Sequence, residues 1–224
     1  MGRTSTGKDR LVDAARELIY THGYAGVGIA DICARAGVLK GSFYHFFASK
    51  QALALAVVDA YWGRQRDEWV RLLGDEKQPP LQRLRNLLAA NVAAQVFDKC
   101  ATGSVRGCLL GNLALELSGK DQPVQSRVDE VFVEQIRLVY GVLAAAADVG
   151  AIRPEFATLA TARAVLAQLE GLMIFAKLTN DTAVFDDLWP QTLRLLGVAA
   201  DTIDVDTTDA SGPRRRASAR PRRT

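Results

Sequence analysis

From Leu11 to about Ala200, apolar residues recur at three- and four-residue intervals, and no alternating run is long enough to make a strand. That period commits the chain to helices that each bury one face, so the fold class is all-α. The breaks fall on residues that end helices: His22-Gly23, Ala36-Gly37-Val38, Ser49, GDEKQPP after Leu73, the glycine-bearing loop before Cys108, and GAIRPE before Phe156. Nine helices are predicted. The first begins near Leu11, two short ones lie within IADICARAGVLKGSFYHFF (29–47), and a long fourth runs from Lys50 to about Leu73. The remaining five cover about 81–98, 108–118, 125–149, 156–178 and 185–200. With 49% hydrophobic residues in a chain of 224, a packed core needs no staples. The cysteines, Cys33, Cys100 and Cys108, are odd in number and lie within helical pattern, unlike the framework of a secreted disulfide protein. Charges are scattered through the first twenty residues. The longest apolar stretch, Val165 to Ala176, is interrupted by Gln168 and Glu170 and is too short to span a bilayer. A cytoplasmic protein with no membrane partner is expected.

The short pair of helices carries the most specific pattern. Ile29, Ile32, Cys33 and Ala36 fall at i, i+3, i+4 and i+7, and Gly37 is free to take the positive φ that ends a helix. Phe43, Phe46 and Phe47 repeat the spacing, so the two seams are expected to share one small core. What remains outward is Lys40, Gly41, Ser42, Tyr44 and His45. Two short helices joined by a tight turn and backed by a longer one make a helix-turn-helix, whose second helix fits a DNA major groove. Lys40 suits phosphate or a guanine edge, Gly41 allows close backbone approach, Ser42 and Tyr44 offer hydroxyls, and His45 serves backbone or base. Lys50 would add a phosphate contact. Residues 1–50 hold seven basic side chains against four acidic ones, in keeping with a polyanionic partner. An ordinary helical hairpin with solvated polar residues fits the spacing as well.

The segment GYAGVGIADICARAGVLKGSFYHFFASKQAL (23–53) resembles the signature of the TetR family of transcriptional regulators. The shared features are Ala-Gly-Val at the turn, Lys-Gly-Ser opening the second helix, Tyr-His-Phe within it, and Ser-Lys-x-x-Leu after it. The resemblance implies a helix-turn-helix domain over residues 1–50 with an N-terminal arm. It also implies a larger helical ligand-binding and dimerisation domain over 51–200. Residues 201–224 read as a disordered tail, acidic in DTIDVDTTD and basic in GPRRRASARPRR. The family implies a homodimer on a palindromic operator of double-stranded DNA, usually a repressor released by a small-molecule effector. Lys40, Gly41, Ser42, Tyr44, His45 and Lys50 are then the positions expected at DNA. The chain departs from the family at Val27 and Gly28, where Thr or Ser often caps the first helix of the motif. It departs again at Leu39, where Ser is common, and at Ala30, where a basic residue is frequent. Arg3, Lys8 and Arg10 of an N-terminal arm would compensate.

For the effector, Trp62, Asn112, Glu116, Tyr140, Met173 and Phe175 are the aromatic and amphipathic candidates, with core packing as the competing role for each. The two long late helices are richer in apolar residues than one bundle seam requires. By the resemblance they supply a four-helix dimer interface, with Val131, Val139, Leu166, Leu169 and Met173 as its expected residues. GCLLGNLALELS (107–118) is similar to a segment in regulators of this family that respond to electrophiles through a cysteine. Cys108, at a predicted helix start, is therefore a candidate redox or electrophile sensor, since free N–H groups there favour thiolate. A helical enzyme is the remaining class. His22 and His45 both lie in the N-terminal part, so neither a metal nor a cofactor site is expected in the apolar domain. Gly107 and Gly111 do not make a phosphate loop, because no strand precedes them and no Gly-Lys-Ser/Thr follows.

Overall fold

The computed structural model describes residues 6–199, and among them are nine α-helices, two short 3₁₀ turns and no strand. Arg3 of the expected arm and the tail 201–224 lie outside the described residues. Lys8 and Arg10 belong to no arm. Helix α1 (Gly7–His22) begins ahead of them, capped by Thr6, whose hydroxyl accepts the Asp9 N–H while the Asp9 carboxylate accepts that of Thr6. Leu11, Ala14, Ala15 and Ile19 form its buried face.

Helices α2 (Ile29–Ala36) and α3 (Lys40–Phe46) follow, and α4 (Lys50–Leu73) is the spine of the molecule. Ser49 caps α4 by accepting the Ala52 N–H at 3.1 Å. The first half of α4 buries Leu53, Ala54, Val57 and Val58, and the second half Trp62, Trp69 and Leu73. It packs on α1 as well as on α5 (Pro80–Thr102) and α7 (Gln122–Asp148). One apolar core therefore runs without a break from Leu11 to Leu196, across the boundary expected at residue 50. Ion pairs pin α4 to its neighbours: Arg64 to Asp13 of α1 at 2.7 Å and Arg127 of α7 to Asp59 at 2.6 Å.

Helix α6 (Leu109–Leu117) is short and almost wholly apolar inward, and α8 (Leu159–Thr179) and α9 (Leu188–Leu195) close the bundle. At 21 residues α8 is longer than the apolar run read from the sequence, and its length and composition alone would suffice for a membrane span. Its inner face, Ala162, Val165, Leu166, Leu169, Met173 and Ala176, is packed into the core. The chain ahead of α8 and α9 forms 3₁₀ turns at Pro154–Phe156 and Ala183–Phe185, so both helices start about three residues later than predicted.

Two groups of residues expected on shared faces are placed by this packing as follows. Val131, Val139, Leu166, Leu169 and Met173, expected at a dimer interface, are each no more than 5% exposed within a single chain, so the chain's own core already covers nearly all of their surface. Apolar periodicity alone does not say which neighbour, own chain or second copy, covers a face. Phe46, expected in the shared seam, is 39% exposed, and its ring instead lies over Gly7 at the start of α1.

Candidate nucleic-acid interface and effector cleft

Helix α3 is held from below by a single side chain. Phe43 is fully buried, with its ring edge-on to Tyr44 at 5.2 Å and tilted against Phe47 at 5.9 Å. Burying such a ring contributes about 1.5–3 kcal/mol. Phe47 reaches that core from the extended residue after the helix rather than from the helix itself. Gly37 makes the turn between α2 and α3 at φ 62°, a left-handed conformation that side chains with a Cβ rarely adopt. Its N–H and that of Val38 close back onto the carbonyls of Ala34 and Cys33.

With Phe43 facing in, Lys40, Gly41, Tyr44 and His45 are exposed, Ser42 is half-buried, and Leu39 at the helix entrance is 81% exposed. A Cβ at Gly41 would meet nothing within 4 Å, so the open space over that residue belongs to the solvent side. The exposed edge is thus basic and hydroxyl-bearing, with backbone accessible at one point. The cap lost at Gly28 is half replaced, because Asp31 accepts the Gly28 N–H at 2.9 Å, and Val27 is a core residue. Lys50 differs from expectation. It donates to the Tyr24 carbonyl and sits 4.2 Å from the centre of the Tyr24 ring, so its ammonium is engaged within the protein.

A cleft of about 450 Å³ opens between α6 and α8. Cys108, Asn112 and Leu115 line it from one side and Glu170, Met173 and Lys177 from the other. Lys177 bridges the two helices by donating to Asn112 Oδ1 at 3.2 Å. Of the six candidate ligand residues, Asn112 and Met173 line this cleft. Trp62 is buried and gives its indole N–H to Glu134 at 2.7 Å, so it is a structural side chain. Tyr140 and Phe175 are exposed, at 38% and 58%, and do not line the cleft. Glu116 binds backbone of the α1–α2 loop. Glu170 and Lys177 were missed, although the lone carboxylate inside the run Val165 to Ala176 was a visible signal. A second, more open and largely apolar groove of about 680 Å³ lies between α5 and the start of α9, bordered by Arg85, Val92, Phe97 and Trp189.

Cys108 caps α6, accepting the Gly111 N–H at its Sγ (3.5 Å), as its predicted position at a helix start requires. Its chemistry is the reverse of that expected for a sensor. Burial pushes the thiol up strongly, the adjacent Glu170 carboxyl adds to the rise, and these outweigh the helix N–H groups. The thiol instead donates a hydrogen bond to Glu170, whose own carboxyl is raised by burial despite that bond.

The family model for bacterial regulatory proteins of the tetR family matches residues 11–57, and that for the Tetracyclin repressor-like C-terminal domain matches 80–191. The chain is 28% identical over 200 residues to the HTH-type transcriptional repressor DhaR of Mycobacterium sp. strain GP1, covering 86% of this chain and 96% of that one. It is 26% identical over 123 residues to the HTH-type transcriptional repressor NemR of Escherichia coli K12, covering 55% and 60% of the two chains. The crystal structure of a regulatory protein TetR from Rhodobacter sphaeroides superimposes with a TM-score of 0.73 at 27% identity, over 86% of this chain and 98% of that one. With its exposed α3 edge on a helix-turn-helix and both family domains matched in order, this chain belongs to the TetR family of transcriptional regulators.

Proposed function

We propose that the chain is a homodimeric repressor that reads an inverted-repeat operator with α3 and leaves it when a small molecule enters the cleft between α6 and α8. The observation that carries this reading is the α3 edge: Lys40, Gly41, Tyr44 and His45 exposed together on a helix fixed by Phe43. Residues 6–50 serve as the DNA-reading part and 51–199 as the part that dimerises and binds effector. The dimer face is the outward side of α8, where Ala160, Ala164, Ala167 and Gly171 follow one another at three- and four-residue spacing with Phe175 and Leu178 beside them. Small side chains allow the helix of a second copy to approach closely, and the exposed Phe175 and Leu178 give it apolar area to bury. The cleft suits an effector because it joins apolar walls to a few polar groups, Asn112, Glu170 and Lys177, and one of its two helices, α6, packs on α1 of the DNA-reading part. A ligand there shifts the equilibrium only by its differential affinity for the DNA-bound and free conformations. A DNA-binding regulator of this kind acts in the cytoplasm and needs no catalysis.

Selection of bound DNA from a random pool by the full chain tests the reading. Enrichment of an inverted repeat, with half-sites about one helical turn or a multiple apart, is the expected result. A single asymmetric site, or no enrichment, would overturn it. Small molecules that release the selected DNA then identify the effector.

A further inference from the structure

The loop between α1 and α2 is held by two charged side chains that the sequence assigns elsewhere. Glu116 of α6 accepts the backbone N–H of Tyr24 at Oε2 (2.7 Å) and that of Ala25 at Oε1 (2.5 Å). Gly23, at φ 73°, lets the loop come so near that a Cβ there would lie 3.1 Å from Glu116 Oε2. From the other end Lys50, the first residue of α4, donates to the Tyr24 carbonyl and covers the Tyr24 ring. The Tyr24–Ala25 peptide therefore has a cation on its C=O and an anion on its N–H. Both charges complement the peptide dipole, and charge-assisted bonds of this kind are about twice as strong as neutral ones. Burial lowers the Lys50 ammonium and Glu116 opposes that fall, as a cation engaged inside the protein requires.

We propose that Glu116 and Lys50 form a latch on the Tyr24–Ala25 peptide that positions the DNA-reading helices against α6, with Lys50 bound to this loop rather than to DNA phosphate. Glu116 lies one turn beyond Asn112 on α6, and Asn112 lines the cleft and accepts from Lys177 of α8. A displacement of α6 along its axis thus reaches the loop directly. Both latch residues are positioning residues, since Glu116 stands on the bundle side of the loop and Lys50 faces Tyr24.

The proposal rests on the DNA-binding reading for one of its two measurements only. Amide hydrogen exchange of the full chain is the measurement that needs no DNA. In Glu116→Ala the Tyr24 and Ala25 amides should exchange about tenfold to a hundredfold faster. In Glu116→Gln, which keeps one acceptor oxygen, one of the two amides should stay protected. Amides of the α4 core such as Val57 should be unchanged in both, which separates loss of the latch from global unfolding. The second measurement is affinity for the selected operator against salt. Lys50→Met should bind several-fold more weakly with the slope of log K against log salt unaltered, whereas loss of a phosphate contact would reduce that slope by about 0.9. A reduced slope together with unchanged exchange at Tyr24 and Ala25 would return Lys50 to the DNA and overturn the latch. Unchanged exchange in Glu116→Ala would overturn it even if no operator were found.

Discussion

At Cys108 two effects compete for one thiol. A helix N-terminus offers N–H groups that favour thiolate, and a closed apolar site with a carboxyl beside it disfavours any negative charge. Burial wins, because the stabilisation from one helix end is about 0.3–1 kcal/mol whereas desolvating a charge costs several times that. Among the three free cysteines only Cys100 is exposed. Maleimide treatment of the folded protein should therefore label Cys100 to completion while Cys108 and Cys33 stay intact by peptide mass mapping, and early labelling of Cys108 would restore the sensor. Glu170 gives a pH-dependent counterpart. Its folded-state carboxyl is raised above the ordinary value of 4.5 by burial, so the folded state binds the proton more tightly than the unfolded chain does. The stability this contributes is fully present below about pH 4.5 and is lost as pH rises through the raised value. Glu170→Gln should match the wild type in thermal midpoint near pH 4 and exceed it increasingly toward pH 7. Parallel curves would mean that Glu170 is ionised and solvated in the folded protein. The sequence marked Glu170 as an interruption of an apolar run. Its partner Cys108 lies 62 residues away along the chain, and no local pattern joins the two.

Neighbouring positions on α3 have opposite roles, and its seven residues show why period alone half-succeeds. Replacing Phe43 by Ala removes the buried ring and should cost about 3–5 kcal/mol, read as a lowered denaturation midpoint. Replacing Tyr44 by Ala should leave stability nearly unchanged and weaken operator binding by about 1–3 kcal/mol in a titration. If Tyr44→Ala binds the operator as tightly as wild type, α3 does not meet DNA on this edge. The inward position of Phe43 and the outward edge from Lys40 to His45 were legible from spacing, because a helix fixes which residues share a face. Phe46 was not, since Gly7 arrives from another helix to lie under its ring. The partner of Lys50 in the folded chain was not legible for the same reason: Tyr24, 26 residues earlier, supplies the acceptor.

For the whole molecule the same distinction separates core from partner surface. Leu169 is 2% exposed inside one chain, so Leu169→Ala should lower stability by about 2–5 kcal/mol whatever the state of assembly. Ala167, exposed on the opposite side of α8, should behave differently: Ala167→Glu should keep the helical circular dichroism and yield monomer by sedimentation. A variant that remains dimeric would move the interface away from α8. The helical class, the order of the elements, the turn at Gly37 and the outward edge of α3 were determined by the sequence alone. Each depends on contacts within a few residues, where propensity and period act directly. The side of α8 left open, the engagement of Trp62, Glu116 and Lys50, and the upward shift of the Cys108 thiol and the Glu170 carboxyl required the packed chain. Those outcomes depend on which distant groups share a buried volume, because burial and hydrogen-bond satisfaction are properties of the assembled core and leave no periodic trace along the sequence.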